Sequence, residues 1–313
     1  MMFTAADVKN LREITGVGMM DCKKALTESN GDFDKAVAWL REKGLATAQK
    51  KAGRIAAEGV VAVFIAADSA AIAEVNIETD FAAKNESFIK FADDVAAVAA
   101  EKNPADLDAL LDAAYPGEGK PVKDVLIDRV QVIGENIQIR RFERYGAGVN
   151  VSYIHHNKKI GVLIQLETSE NIKDKAEVAE LGRDLGMQIA ALRPRYLDSS
   201  SISEEAIATE RDIQYNKALE ENREKKLPED KAQQVAEKMV AGRMNKFFEE
   251  VCLVNQAFAK NGDFTVEAYV KHVAKELGGE IKIVKFTRYE AGEGIEKKAD
   301  NFAEEVAKMA GTN

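Results

Sequence analysis

The beginning of the chain has apolar residues at helical spacing, which predicts three short helices. Thr4 is placed to cap the first helix, and the second covers roughly residues 20–28. The third begins after Asp32 and is expected to end at Gly44, because a glycine commonly closes a helix. The charged stretch 49–54 that follows indicates a solvated linker. Helices this short are unstable alone, so we expect the three to pack on one another.

From Glu58 onward the spacing of apolar residues changes from the helical pattern to the alternation that is typical of a strand. Two such runs surround a turn near Asp68 and predict a β-hairpin. A helix is expected next, then a further helix over residues 122–133 and a strand over residues 136–145. The buried stripe of the helix that follows the hairpin is predicted to consist of Phe88, Phe91, Val95 and Val98.

The last of these segments has a copy further along the chain. IGENIQIRRFERYGAG (133–148) and LGGEIKIVKFTRYEAG (277–292) share eight of sixteen residues, where chance gives about one. A strand of the first hairpin, residues 71–79, has a weaker echo in residues 160–168. The core is therefore predicted to contain two copies of one α+β unit, each with a hairpin, helices and a final strand.

The stretch ETDFAAKNE lies where the first copy passes from strand to helix. One interpretation makes Phe81 an apolar staple at the helix start, with Asp80 or Asn85 as the N-cap. The other presents Phe81 to something outside the chain. The echo sets Ser169 and Glu170 of the second copy against Asp80 and Phe81, although a requirement of the fold should recur in both copies. The repeat therefore favours the second interpretation.

The second copy is interrupted by residues 199–252, which are charged and almost free of glycine. A helix is expected from about Glu204, a turn at residues 227–230, and a returning helix from about Lys231. The apolar seam is narrow, which predicts an antiparallel helical hairpin that protrudes into solvent. A short amphipathic helix is expected at residues 300–310. The seam positions are Ile207, Ile213, Leu219, Val235, Met239 and Phe247.

These elements define an α+β fold class with five predicted domains. They are the small N-terminal three-helix module with its linker (1–54), the first copy of the core (55–148), the second copy (149–198 and 253–292), the inserted antiparallel coiled-coil hairpin (199–252) and a C-terminal helical module (293–313).

Composition narrows the class of partner. The chain has 313 residues, a formal net charge of −9 and a pI of about 5.2, so phosphate neutralisation of a nucleic acid is not expected. Its most apolar run, residues 59–67, is far too short for a membrane span, and no leader peptide is recognisable at the start. Cys22 and Cys252 lie far apart, which suits a reducing compartment. We expect a cytoplasmic protein.

Motifs for catalysis and cofactors are missing from the sequence. GVGMMD lacks the third glycine of a dinucleotide fingerprint and follows a helix, and there is no phosphate-binding loop of the Walker type. His155 and His156 are adjacent, so on a strand they point to opposite faces, and no cysteine or carboxylate has metal-ligand spacing nearby. A surface histidine in a hairpin turn is the simpler interpretation. No cofactor, no metal and no enzymatic activity are expected.

Two stretches resemble the signatures of a known family, bacterial translation elongation factor Ts. They are LREITGVGMMDCKKAL (11–26) and EVNIETDFAAKN (74–85), supported by IGENIQIRR, AEKMVAGRM and GEGIEK. The second signature departs from the family pattern at Ile77 and Ala82, which leaves Thr79, Asp80 and Phe81 unaffected. The resemblance covers nearly the whole chain.

The resemblance implies guanine-nucleotide exchange on elongation factor Tu. Such a factor binds Tu carrying GDP, promotes GDP release, is displaced when GTP binds, and makes or breaks no covalent bond. By resemblance, Asp80, Phe81, Ala82 and Ala83 disturb the magnesium site of Tu. The other contacts implied by the resemblance are Leu11, Arg12, Met19, Met20, Lys23, Ile133, Gly134 and His155.

The sequence leaves two questions open: the contacts near Phe258 and an alternative function. The family contacts that follow the position of Phe258 are not transferred, because FAKNGDF departs from the family pattern there. The alternative function is that of a chaperone-like or adaptor interaction protein without exchange activity.

Overall fold

The N-terminal module is the predicted bundle of three helices: α1 (Ala5–Thr15), α2 (Met19–Glu28) and α3 (Phe33–Lys51). The structure is a computed structural model that describes residues 3–296. Thr4 caps α1, because its hydroxyl accepts from the Asp7 N–H at 3.3 Å while the Asp7 carboxylate accepts from the Thr4 N–H at 2.7 Å. The core of the module is formed by Val8, Leu11, Val17, Cys22, Ala25, Leu26, Ala36 and Leu40.

The first copy of the core is a three-stranded antiparallel sheet covered by helices on one side. The strand order is β1-β2-β3, and the predicted hairpin forms its first two strands. The stripe from Phe88 to Val98 is buried against the sheet, as predicted. The elements are β1 (Glu58–Ile65), β2 (Ala70–Ile77), α4 (Asp80–Ala83), α5 (Glu86–Lys102), α6 (Leu107–Asp112), α7 (Val122–Ile133) and β3 (Ile137–Tyr145).

The second copy repeats this sheet with the order β4-β5-β8, again antiparallel. An inserted helical pair lies between its first helix and its last strand, and two 3-10 turns flank the pair at Ser199–Ser201 and Leu253–Asn255. The elements are β4 (Val149–Ile154), β5 (Ile160–Thr168), α8 (Ala176–Leu192), α9 (Glu204–Glu224), α10 (Glu229–Val251), β6 (Ala257–Phe258), β7 (Asn261–Thr265), α11 (Val266–Leu277) and β8 (Ile281–Glu290). The predicted α+β fold class, with its duplicated core and helical hairpin, is confirmed.

Strand pairing corrects the alignment of the two copies by two residues. Ile77 pairs with Ile137, and Thr168 pairs with Ile281, the repeat mate of Ile137. Ile77 therefore corresponds to Thr168, an offset of 168 − 77 = 91. The echo in the sequence used 89. The echo set the Glu-Thr pair 78–79 against the Glu-Thr pair 167–168, which the strand pairing shows to be two residues out of register. The hairpin turns also differ, with four residues between Ile65 and Ala70 but six between Ile154 and Gly161.

With this shift Glu78 corresponds to Ser169, but the helices after the turn resume at an offset of 90, since the N-caps of α5 and α8 are Asn85 and Lys175. The turn of the second copy is therefore one residue shorter, and the strand pairing fixes no counterpart for Phe81. Both sheets place a β-bulge at the same point of the corrected alignment, after Glu74 in β2 and after Gln165 in β5. A bulge at matching positions supports the offset independently of the pairing, since bulges are features of the fold rather than accidents.

The two sheets pack against each other through equivalent contacts. The Arg141 guanidinium lies 4.2 Å from the Tyr289 ring centroid, and the Lys285 ammonium lies 3.9 Å from that of Tyr145. Arg141 and Lys285 are repeat mates, as are the two tyrosines, so each copy gives the other the same cation–π contact. The Tyr145 hydroxyl also bonds the Thr287 hydroxyl at 2.7 Å. The apolar cluster between the sheets contains Val61, Ala70, Ile72, Tyr145, Leu163 and Tyr289.

Polar side chains at the two bulges join each copy to the end of the other. Glu74 is fully buried, and its carboxylate accepts from Arg140 at 3.0 Å, Arg141 at 2.6 Å and the Gly292 N–H at 2.8 Å. Its counterpart Gln165 donates to the carbonyls of Gly146 and Ala147, each at 3.1 Å. Gly292 follows β8 and Gly146 follows β3, so both side chains hold the segment that leaves the opposite sheet.

The third helix is longer than predicted. Gly44 does not end α3, which continues to Lys51. A Cβ atom added to Gly44 would lie 2.6 Å from the Gln131 amide oxygen and 3.5 Å from Ile127. The glycine therefore allows close packing of α3 on α7. Residues 49–51, predicted to be linker, therefore belong to a helix that docks the module on the core.

The inserted residues form the predicted antiparallel pair, α9 and α10. The turn ends earlier than predicted because α10 begins at Glu229, directly after Pro228 at the N-cap. The seam depends on small residues: Ala218, Ala232 and Ala236 are fully buried. Ile213 was predicted in the seam, which is wrong, since 42% of it is exposed.

Two predictions from the sequence are not tested by the described structure. The predicted helix at 300–310 falls outside the described residues. The boundaries of the five domains stay a prediction. Among residues 3–296, no helix is both long and apolar enough to cross a lipid bilayer.

Glu74→Ala should lower the free energy of unfolding by about 2–3 kcal/mol, because it leaves two partly exposed arginines without their buried partner. The matched change Gln165→Ala removes neutral hydrogen bonds and should cost only about 1–2 kcal/mol. Urea denaturation followed by circular dichroism measures both. Equal losses for the two variants would contradict the charge-based explanation.

Candidate functional site

The candidate site is centred on the corner where β2 passes into the short helix α4. The Thr79 hydroxyl accepts from the Ala82 N–H at 3.2 Å and so caps α4. Asn85 caps α5 by accepting from the Ser87 N–H at 2.8 Å, as predicted. The predicted alternative, Asp80 as a cap, is wrong, since Thr79 satisfies the first free N–H of the turn.

Two carboxylates fix this corner to the loop that precedes β3. The Glu135 carboxylate accepts from both the Thr79 N–H at 2.9 Å and the Thr79 hydroxyl at 2.7 Å. Glu78 accepts in return from the Asn136 N–H at 2.6 Å. Hydrogen bonds to a carboxylate are among the stronger ones, so the corner is rigid. Sequence reasoning missed Glu78 and Glu135, and the only signal for Glu135 was its place in IGENI next to the helix-ending Gly134.

Phe81 projects from this corner into solvent. Its exposed fraction is 83%, the largest among the bulky apolar side chains of residues 3–296. The staple interpretation is therefore wrong in this structure, because the ring does not pack on the helix behind it. The Lys84 ammonium lies 5.7 Å from the ring centroid and 2.8 Å from the Asp80 carboxylate. Burying such a side chain in a partner is worth roughly 1.5–3 kcal/mol.

Asp80 remains ionised at neutral pH. The hydrogen bond from Lys84 lowers the pKa of its carboxyl, and the charges of Lys84 and Lys159 act in the same direction. Because the folded-state pKa is depressed, the Asp80–Lys84 pair is present above the ordinary aspartate pKa and is lost only as the pH falls through the lowered value.

The turn between β4 and β5 lies beside α4. It is held on the first copy by the Val61 N–H, which donates to the Lys158 carbonyl at 2.7 Å. His155 is half-buried, with Nδ1 2.9 Å from the Tyr153 hydroxyl, and the exposed ring of His156 lies 4.3 Å away. Asp80, Ala83 and Lys84 line one shallow pocket together with His156, Asn157, Lys158 and Lys159.

The N-terminal module carries a second exposed apolar patch. Met20 is 74% exposed and Met19 42% exposed, and the predicted contacts Arg12 and Lys23 are also exposed. Leu11 is fully buried in the core of the module, and its predicted contact with a partner stays a prediction. The patch also includes an unpredicted residue, Ile14, which is 65% exposed.

The end of α7 lies between the module and the corner. The Lys51 ammonium of α3 donates to the Gly134 carbonyl. Val132 packs close to the module as well, since a Cβ atom added to Gly16 would lie 3.6 Å from its Cγ2. Glu135, the residue after Gly134, binds the corner as described. The predicted contact Ile133 is half-buried and packs on the core, whereas Gly134 is exposed. Residues 132–136 therefore contact the module through Val132 and the corner through Glu135.

Nothing in residues 3–296 resembles a metal centre, since no group of three or more His, Cys, Asp or Glu side chains could hold an ion there. The arrangement at the corner is an exposed aromatic ring next to a carboxylate on a rigid support, which suits contact with another protein.

Known proteins are similar to this chain in sequence along their whole length. The family model described as Elongation factor TS matches residues 78–293, beginning at Glu78 of the corner. Elongation factor Ts of Clostridium perfringens strain SM101 is 47% identical over 99% of this chain and 100% of its own length. The chain belongs to the elongation factor Ts family. Elongation factor Ts of Symbiobacterium thermophilum is 49% identical over 98% of each chain.

Membership in the elongation factor Ts family makes this chain a translation elongation factor. It confirms the resemblance carried by residues 11–26 and 74–85.

Phe81→Ala should leave the free energy of unfolding within about 0.5 kcal/mol of wild type, because the ring is exposed. The matched control Phe88→Ala, at a fully buried phenylalanine of α5, should cost about 3–5 kcal/mol. Denaturant titration measures both. A large loss for Phe81→Ala would show that the ring belongs to the core.

Proposed function

We propose that this chain is the guanine-nucleotide exchange factor of elongation factor Tu. It binds Tu carrying GDP, promotes GDP release, and is displaced when GTP binds. The observation that carries the proposal is the exposed Phe81, held beside Asp80 on a tethered corner in a member of the elongation factor Ts family.

Exchange by such a factor requires differential binding. A factor and GDP that weaken each other do so by one shared coupling free energy. The factor must therefore bind nucleotide-free Tu more tightly than Tu with GDP, since equal affinity for both states shifts nothing. In the proposed complex, Phe81 inserts between helices of Tu and occupies a space that is closed when GDP is bound.

The rigidity of the corner suits this use of binding energy. A buried aromatic anchor contributes about 2 kcal/mol or more to an interface. Since Glu78 and Glu135 already fix the backbone around Phe81, little ordering is needed when the ring docks. The stretch Asp80–Ala83 would at the same time displace the groups of Tu that hold magnesium, whose charge neutralises the phosphates of GDP.

The module supplies the second contact in this proposal. Met19 and Met20 offer flexible apolar surface, and Arg12 and Lys23 frame it with positive charge. His155 and Gly134 lie nearer the corner and complete the proposed surface. The chain acts in the cytoplasm by binding alone, without a cofactor, a nucleic acid or a membrane.

Phe81→Ala should slow the release of fluorescent GDP from Tu roughly 30-fold at limiting factor, which corresponds to the loss of an aromatic anchor of about 2 kcal/mol. Stopped-flow fluorescence measures the release. Ile213→Ala is the matched control, because Ile213 is an exposed apolar residue on α9, far along the chain from both patches. If the wild-type chain itself fails to accelerate release at micromolar concentration, the adaptor alternative replaces exchange.

Met20→Ala should raise the concentration of factor needed for half-maximal exchange by roughly tenfold and leave the maximal rate nearly unchanged. The reason is that Met20 would contribute binding without reaching the nucleotide. Titrating the factor at fixed Tu separates the two quantities. A reduced maximal rate with an unchanged half-saturation point would contradict a purely anchoring role for the module.

A further inference from the structure

The linker (residues 52–57) that joins the N-terminal module to β1 is packed into the core at its far end. Ala56 and Ala57 are buried. A Cβ atom added to Gly292 would lie 1.9 Å from the Ala57 carbonyl oxygen, so the segment after β8 packs directly on the linker. The core end of the linker is therefore fixed, and the orientation of the module depends on what binds residues 52–54.

Asn136 binds that first part of the linker. Only 3% of the residue is exposed, and its amide donates to the Arg54 carbonyl at 2.8 Å and to the Ala52 carbonyl at 3.5 Å. Its backbone N–H donates to the Glu78 carboxylate of the corner at 2.6 Å. One residue therefore bonds the linker through its side chain and the corner through its main chain.

The neighbouring hydrogen bonds lie at the surface. The Lys51 ammonium bonds the Gly134 carbonyl at an exposed position. The Gln138 amide donates to the Ala52 carbonyl at 3.4 Å, also at an exposed position. Water offers an equal partner to exposed groups, so such bonds add little. The Asn136 side chain is buried, where leaving a polar group without its partner costs more.

The module has one further point of attachment, the crossing of α3 and α7 at Gly44. A single crossing of two helices leaves rotation about the contact point free. Asn136 binds the chain beyond the end of α3, and a second fixed point removes that rotation.

We propose that Asn136 is a positioning residue that locks the module and the corner into one rigid two-point binding surface. Once the Met20 patch or Phe81 has docked, a rigid connection holds the other in the geometry it needs, so the second contact forms at a high effective concentration. The consequence for Tu rests on the proposed function of the two contacts, whereas the rigidity itself does not.

The rigidity is tested without Tu, by the distance between two spin labels. The labels are attached to Asn10→Cys on α1 and Glu101→Cys on α5, which are exposed positions. The native Cys22 and Cys252 are buried and so do not compete for the label. Pulsed electron–electron double resonance should give a narrow distance distribution for the otherwise wild-type chain.

Asn136→Ala should widen this distribution several-fold, because the module regains rotation about the helix crossing. Gln138→Ala is the matched control, since it removes only an exposed bond to the same linker, and it should leave the distribution narrow. An unchanged width in Asn136→Ala overturns the proposal.

A second variant slackens the chain and keeps Asn136, so it does not require Asn136→Ala to fold. Two glycines are inserted between Arg54 and Ile55, which are exposed, on the core side of the carbonyls that Asn136 binds. Because Asn136 still holds the module side, the distribution should stay narrow. A wide distribution would show that the short linker alone fixes the module, which overturns the proposal.

Exchange on Tu is then measured with the same variants. Asn136→Ala keeps the backbone N–H that binds Glu78 and leaves Glu135 on Thr79, so the maximal rate should stay near wild type. The factor concentration at half-maximal exchange should rise roughly tenfold or more, because the effective concentration of the second contact falls. If the distance distribution widens and that concentration does not change, Asn136 remains the positioning residue and the proposed role of the module in binding Tu is refuted.

Discussion

The packing of the two three-stranded sheets on each other determines where everything else in the core lies. Tyr145 and Tyr289 sit at the contact, each covered by a cation from the opposite copy, and Glu74 and Gln165 fasten the segments that leave the opposite sheets. This interface fixes the β4–β5 turn beside α4, so residues distant in sequence, such as Asp80 and Lys159, come to share one surface. The surface proposed for Tu therefore depends on both copies.

The two copies differ in the turn that follows the central strand of each sheet. This turn has eight residues in the first copy and seven in the second, and the second copy buries Ile172 there. In the first copy Ala83 is buried, the Glu135 carboxylate accepts from Thr79, and the Phe81 ring is exposed and available to a partner.

Periodicity predicted the elements well, because helices and strands here bury regular stripes. It failed where tertiary packing overrides local signals. Gly44 suggested a helix end, yet it is the point where α3 crosses α7. The Glu-Thr pairs 78–79 and 167–168 set the echo of the copies two residues out of register, which the strand pairing reveals. The bond between Thr79 and Glu135 joins residues 56 positions apart, which no local pattern indicates. The repeat suggested an exposed Phe81 through an alignment that was two residues out of register, so it is the packing that distinguishes the ring from a staple.

The equilibrium affinity of Tu for GDP, measured with and without a saturating amount of the chain, tests the central claim most directly. The wild-type chain should weaken GDP binding strongly. Phe81→Ala should still bind Tu through the module but lose most of that weakening, because the ring is the part that distinguishes the two states of Tu. An undiminished effect of Phe81→Ala on GDP affinity would contradict the account.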